Sequence, residues 1–205
     1  MALTDKPIYL ASHSPRRREL LRQIGVGHEV LLLREDLKRG IDVDETPRPA
    51  ETPADYVVRI ALAKADAGVK STARRAGFPK PVLAADTTVV VDDQIVGKPA
   101  DAEDAVRMIG QLSGRNHRVI TAVAVSFADR IETRVSESQV WMREITDIEA
   151  RRYAASGEPL DKAGAYAVQG RAAAFITRIE GSYSGIMGLP LAETAELLAL
   201  FGVEV

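Results

Sequence analysis

Apolar positions along this chain follow two rhythms. Short runs bounded by turn formers predict strands: IYLAS (8–12), HEVLLL (28–33), and PVLAADTTVVVDDQIVGKP (81–99), which reads as a buried strand, a turn and a second short strand. Residues 118–128 and 131–143 read as two long paired strands around an Ala-Asp-Arg turn, and a further strand is expected near 172–179. Between these runs the period lengthens to that of a helix. Ser14 caps a helix with Pro15 at its first position, Leu20, Leu21 and Ile24 on its apolar face, and Gly25 past its end. Thr52, Pro53 and Asp55 open a long helix that runs to about residue 75. Asp101 caps a helix ending near Ser113-Gly114, a short one follows near 147–156, and the last runs from Pro190 to Gly202. The Pro-rich, acidic segment 40–53 is expected to be an irregular loop. Strands alternating with helices, then a strand hairpin, predict an α/β protein with a mixed sheet. Ligands in such folds usually sit beyond strand ends, in a crevice.

Composition narrows the picture. The 205 residues suggest one domain, or one elongated domain with two lobes, and 46% hydrophobic content is enough for a sizeable core. The formal net charge of −2 gives no global attraction to nucleic acid or acidic membranes, so an anion site would have to be local. Without cysteine there is no disulfide, thiolate metal site or thiol nucleophile. The opening MALTDKPIYLASHS has too short an apolar segment for a secretory signal, and the longest apolar run, VITAVAVSFA (119–128), is far short of a membrane span. The expectation is a soluble, cytoplasmic protein.

Some residues fit a purely structural pattern poorly. Asp86 interrupts the apolar run of its strand, where a carboxylate costs several kcal/mol, roughly, unless paired or metal-bound. It reads either as a strand-end carboxylate bonded to a turn or as a general base or metal ligand on a rigid strand. In SHSPRRREL three arginines crowd a helix start that is already positive. That suits a bound anion such as phosphate, or else a solvated basic turn. Lys64 lies at the rim of the apolar arc of its helix, while Arg59, Asp66 and Lys70 fall on the other side. It either snorkels along the core edge or aims an ammonium into a cleft. Lys98, in GKP, can return towards the Asp86 end, and Glu45 in DVDET could supply a second carboxylate for a divalent ion. Gln169 in the loop DKAGAYAVQG (161–170) offers a donor and an acceptor that can read a base edge, or it is an ordinary turn residue. His13, His28 and His117 share no metal-ligand spacing, there is no Walker-type loop or dinucleotide fingerprint, and GSYSG (181–185) lacks the strand-elbow-helix context of a hydrolase nucleophile.

SPRRRELL, the DETP loop, RIALAKA, AADTTVVVDDQIVGKP, LSGRNHRVITAVAV, EPLDKAGAYAVQG and GSYSGIMGLPL occur in that order along nearly the whole chain. Together they resemble the Maf family of nucleoside triphosphate pyrophosphatases. The resemblance implies a single domain over 1–205: an elongated mixed-sheet α/β fold with two lobes and a central cleft, related to inosine triphosphate pyrophosphatase. It implies a catalytic carboxylate at Asp86, triphosphate contacts at Ser12, Arg16, Arg17, Lys64 and Lys98, and an acidic metal contact at Glu45, with Asp42 and Asp44 as neighbours in register. Arg16, Thr87 and Gln169 would bear on the base. Thr87 after the aspartate and Gln169 in AVQG are similar to the branch acting on dTTP and UTP rather than 7-methyl-GTP. His13, where small residues are common in this motif, departs from the pattern.

The implied reaction is attack of water on the α-phosphorus, releasing a nucleoside monophosphate and pyrophosphate, with Mg²⁺ or Mn²⁺ as cofactor and a homodimer as the assembly. The implied role is house-cleaning of nucleotide pools, with no nucleic-acid or membrane partner. The alternatives are the same chemistry on 7-methyl-GTP, CTP or a modified nucleotide, and a nucleotide-binding regulator of septum formation that turns over little.

Overall fold

The computed structural model describes residues 7–34, 40–72 and 79–205. In chain order they form β1 (Ile8–Ala11), α1 (Pro15–Gln23), β2 (His28–Leu31), α2 (Pro53–Thr72), β3 (Val82–Val91), β4 (Gln94–Val96), α3 (Ala102–Leu112), β5 (Asn116–Phe127), β6 (Arg130–Met142), α4 (Asp147–Ala154), β7 (Ile176–Glu180), α5 (Tyr183–Ile186) and α6 (Leu191–Ala199). The seven strands make one mixed sheet in the order β2-β1-β3-β5-β6-β7, with β4 paired to β3. β1 lies parallel to both β2 and β3, while the β3–β4 and β6–β7 pairs are antiparallel. The α/β mixed-sheet expectation is therefore met.

The chain divides into two compact units, and β3, β5 and β6 each pass from one to the other. The first comprises residues up to Asp86, then Thr121–Val135 and Gly188–Val205. Its core holds Ile8, Leu10, Leu20, Leu21, Leu31, Ile60, Leu83, Leu189 and Leu197, all essentially without solvent contact. The second comprises Thr87–Ile120 and Ser136–Met187. Val89, Met108, Ile109, Leu112, Val140, Tyr153, Tyr166 and Phe175 pack together there.

Local signals explain most element ends. The Ser14 side chain accepts from the Arg17 amide at the start of α1. Thr52 and Asp55 bond reciprocally at the start of α2, with the Asp55 amide 3.1 Å from Thr52 Oγ1. Asp101 caps α3. Asp92 and Asp93, both at positive φ, turn β3 into β4, a conformation Asp tolerates better than most residues.

Some expected boundaries shift. The second strand stops at Leu31, since Leu32 points out at 65% exposure. The end foreseen for α2 falls on residues outside those described. The strand expected from 172 begins only at Ile176, because Arg171–Phe175 forms a 3₁₀ turn. The Glu158 carboxylate accepts from the Arg171 amide at 3.0 Å and fixes the start of that turn. GSYSG forms neither elbow nor strand: Ser182 caps the one-turn helix α5 by accepting from the Gly185 amide at 3.0 Å.

Candidate active site

α2 reaches the sheet through its buried stripe of Val57, Ile60, Ala61, Ala65 and Gly68, spaced at the helical period. Lys64 falls inside that stripe. Gly68 sits over β3: a Cβ built on it would lie 2.6 Å from Val82 Cγ1 and 3.3 Å from the Ala11 Cβ. Four residues earlier on α2, and four residues later on β3, Lys64 meets Asp86. Four helical residues rise about 6 Å and four strand residues about 13 Å. The long lysine side chain spans the difference.

Lys64 Nζ lies 2.8 Å from Asp86 Oδ1 and 2.8 Å from Glu45 Oε1, so one ammonium joins two carboxylates. Its side chain is only 16% exposed. Asp86 is buried in the middle of β3, not at a strand end as the structural alternative required. Burial pushes its carboxyl above the ordinary carboxylate value. Lys64, and then Arg17, pull it back, and Glu45 adds a smaller push upward. A buried carboxylate beside two cations and with a raised pKa is the environment in which a general base is tuned.

Arg17 frames the same place from α1. Its Nη1 donates to the Ala85 carbonyl at 2.8 Å, next to Asp86, and to Ser12 Oγ at 3.4 Å, while Nε donates to the Gly188 carbonyl at 2.6 Å. Desolvation lowers the Arg17 pKa, and Asp86 offsets part of that. Ser12 Oγ also accepts from the Ser14 amide at 3.1 Å. Arg16, partly buried, is near enough to Arg17 to press on its charge. The α1 start thus brings Ser12 and the Arg17 guanidinium close to Asp86, with Arg16 beside Arg17, an arrangement suited to anionic oxygens. His13, exposed, bonds through Nε2 to the Leu33 carbonyl at 2.8 Å and takes a structural role in the loop.

Glu45 stands on the irregular segment that the sequence predicted. Asp42 is engaged elsewhere, with Arg34 Nη2 at 2.7 Å, and Asp44 Oδ1 accepts from the Thr46 amide at 2.9 Å. Of these three acids, Glu45 is the one aimed at Lys64.

Thr87, Lys98 and Gln169 belong to the second unit. Thr87 follows Asp86 directly and is partly buried. Lys98 is exposed on the loop after β4, whose Gly97 carbonyl accepts from the Gly164 amide at 2.9 Å. Gly164 has φ +69°, and a Cβ there would lie 2.7 Å from Val89, so only glycine fits that approach. Gln169 occupies the turn 167–170, closed by the Gly170 amide on the Ala167 carbonyl at 3.0 Å, with its side chain exposed. Behind this loop the Tyr166 hydroxyl lies 2.8 Å from His117 Nε2. His117 Nδ1 is buried without a partner, and burial drives the imidazole down to about 4.

Sequence reasoning missed Tyr56, Arg59 and Glu51, which hold the Glu45 segment on α2. Arg59 had fallen on the polar side of the helical wheel, and no spacing rule connects residue 51 to residue 59 across a helix start.

A divalent cation can be tested against these groups. Among the described residues no three His, Asp or Glu side chains converge on one point. Two hard carboxylate oxygens do converge, at the position Lys64 now occupies. Mg²⁺ is commonly held by one or two carboxylates together with substrate phosphates, so the pair fits a cation that arrives with a phosphorylated ligand. No helix of the described residues is long and apolar enough to cross a membrane.

The family model described as Maf-like protein matches residues 7–201. Relatives include a dTTP/UTP pyrophosphatase of Nitrosomonas europaea, 56% identical over 97% of this chain and 96% of its own length. A dTTP/UTP pyrophosphatase of Aromatoleum aromaticum is 57% identical over 95% of both chains. Among solved structures, the Ham1 protein of Staphylococcus aureus matches at a TM-score of 0.41 and 20% identity, over 68% of this chain and 72% of that one. With a model that spans almost its whole length and relatives that share more than half of its residues, this chain belongs to the Maf-like protein family.

Proposed function

We propose that the protein is a nucleoside triphosphate pyrophosphatase that hydrolyses dTTP and UTP to the monophosphate and pyrophosphate, clearing excess or non-standard nucleotides. The observation that carries the reading is the buried Asp86 carboxylate, joined through Lys64 to Glu45 and set beside the basic start of α1. The dTTP/UTP pyrophosphatases that share more than half of their residues with it support the substrate assignment.

In this reading the α1 N–H groups, Ser12, Arg16, Arg17, Lys64 and Lys98 bind and orient the triphosphate. Asp86 takes a proton from a water as its oxygen attacks the α-phosphorus. The bond from that phosphorus to the bridging oxygen breaks, and pyrophosphate leaves. The raised Asp86 pKa strengthens it as a base, while Lys64 and Arg17 keep enough of it ionised to act. Asp86 and Glu45 would hold a Mg²⁺ or Mn²⁺, which when bound neutralises phosphate charge. Lys64 would then shift its ammonium to the phosphate oxygens. Thr87 and Gln169 bear on the base. Uracil and thymine present an N3–H between carbonyls, and one amide can answer a donor and an acceptor together. The homodimer and the cytoplasmic setting belong to the same reading, the second supported by a chain without cysteine.

The test is pyrophosphate release from dTTP, UTP, dUTP, CTP, ITP, GTP and 7-methyl-GTP with Mg²⁺ or Mn²⁺, beside Asp86→Asn. Turnover of dTTP and UTP that vanishes in the variant supports the proposal. Preference for another base overturns the roles of Thr87 and Gln169 and leaves the reaction standing. Tight nucleotide binding without turnover overturns the enzyme assignment.

A further inference from the structure

The segment that carries Glu45 has no regular structure, yet three of its consecutive carbonyls are held by side chains of α2. Arg59 Nη1 donates to the Asp44 carbonyl at 3.3 Å, the Tyr56 hydroxyl to the Glu45 carbonyl at 3.1 Å, and Arg59 Nη2 to the Thr46 carbonyl at 3.1 Å. Arg59 is itself fixed by a two-point bridge to Glu51, with Nε 2.5 Å from Oε1 and Nη2 2.7 Å from Oε2. The Arg59 side chain is 18% exposed and that of Glu51 9%. The Arg48 amide also donates to Glu51, at 3.0 Å. One arginine thus makes four hydrogen bonds, using most of its five donors on a single loop.

This is more than a helix-surface ion pair needs. A surface pair fixes two side chains, whereas here the backbone on both sides of Glu45 is gripped. The same helix presents Lys64, on which the Glu45 carboxylate closes at 2.8 Å. A carboxylate on an unanchored loop would wander by more than the half ångström or so that a ligand site tolerates. Arg59 and Tyr56 remove that freedom.

We propose that Arg59, anchored by Glu51, is a positioning residue that sets the Glu45 carboxylate for a divalent cation. The proposal rests on the reading of Glu45 given above. A lysine at 59 would keep the charge but could not span Glu51 and two carbonyls at once, because it lacks the planar fork.

The experiment measures Mn²⁺ binding by electron paramagnetic resonance with the non-hydrolysable α,β-imido-dUTP present, and the metal dependence of dTTP hydrolysis alongside. Arg59→Met, Arg59→Lys, Glu51→Gln, Glu45→Gln and the double variant Glu45→Gln/Arg59→Met are compared. Outer residues that orient a metal ligand typically contribute about 10–100-fold to affinity. Arg59→Met is expected to weaken Mn²⁺ by about tenfold, with Arg59→Lys and Glu51→Gln between it and wild type. In the double variant the Arg59 substitution should add almost nothing to the loss from Glu45→Gln. Losses that multiply independently, or unchanged Mn²⁺ binding in Arg59→Met and Glu51→Gln, overturn the proposal while leaving the enzyme reading intact. If Glu45→Gln itself binds Mn²⁺ as wild type does, the Glu45 assignment and this inference both fall. Should Arg59→Met not fold, Glu51→Gln and Arg59→Lys carry the same comparison.

Discussion

Gly68 of α2 passes so close to Val82 of β3 that a Cβ on the glycine would lie 2.6 Å from the valine Cγ1. Because Lys64 stands one turn away on the same stripe, this approach also sets the height at which the ammonium meets Asp86. Gly68→Ala is expected to destabilise the protein by about 1–3 kcal/mol, the usual cost of forcing a methyl into a packed core. At this size each kcal/mol is about 2–4 °C of melting temperature. Turnover should fall as well, since Lys64 is lifted. Gly110 in α3 has nothing within 4 Å of its would-be Cβ, so Gly110→Ala should raise stability by up to about 1 kcal/mol and leave turnover alone. Thermal unfolding of the two variants side by side checks the contrast.

Asp86→Asn should raise the melting temperature at neutral pH while abolishing pyrophosphate release. The folded-state pKa of Asp86 lies above its ordinary 3.8, so its protonated form is favoured by folding. Stability from this group is therefore complete below 3.8 and is lost as pH rises through the folded value. The gain in Asp86→Asn should accordingly be largest above the folded value and vanish in acid. A variant that is less stable at neutral pH and still active would remove Asp86 from the chemistry.

Lys64→Met keeps the length and apolar stem but leaves Asp86 and Glu45 facing each other without their shared cation. Breaking a buried pair costs about 3–5 kcal/mol, and slight exposure places this one at the lower end. Adding Asp86→Asn should restore most of the loss, because the uncompensated charge is then gone. Denaturant unfolding of the single and double variants gives the coupling directly, and strictly additive losses would show that the two residues do not act as a pair.

Two separate windows are expected on the acid side. Burial lowers His117 from 6.5 to about 4, so its neutral form is favoured by folding, and that stability is lost as pH falls from 6.5 to 4. The shift amounts to roughly 3 kcal/mol. Glu51, held down to about 2 by Arg59, and Glu149, held down to about 2 by Arg143, stabilise above 4.5 and lose that contribution as pH falls towards 2. His117→Asn should flatten the stability curve between 6.5 and 4, and Glu149→Gln only below 4.5. Denaturant midpoints taken across pH separate the two.

Gln169→Ala is expected to blur the choice between uracil and cytosine nucleotides by about 10-fold or more while changing the best rate much less. Gln169 is exposed in the free protein, and a mismatched polar group costs about 1–3 kcal/mol once the bound base shuts it off from water. Ratios of kcat/KM for UTP and CTP are the readout. An unchanged ratio would leave Gln169 as a turn residue only.

Much of this is legible in the sequence. Ser14, Thr52 and Asp101 mark helix starts because capping acts within four residues, and Asp86 stands out because a charge in an apolar run is anomalous on its face. Helical period put Lys64 at the rim of the apolar arc, and the fold sets it inside the buried stripe. The late chain was read less well. Residues 171–175 turn instead of extending because Glu158, thirteen positions earlier than Arg171, holds their start, and no local pattern carries that contact. The choice among Asp42, Asp44 and Glu45 was equally closed to sequence, since three acids on one loop are chemically alike until the fold aims them.

The sequence by itself thus determined where the capped helices begin and which residue types had no structural reason to be where they are. Those facts depend on neighbours along the chain. The fold alone decided that one ammonium joins Asp86 to Glu45, that Arg17 reaches the carbonyl beside Asp86, and that Arg59 grips the loop around Glu45. These partners are 13 to 68 positions apart. Only close packing, such as α2 lying on β3 at Gly68, brings such distant groups within hydrogen-bond reach.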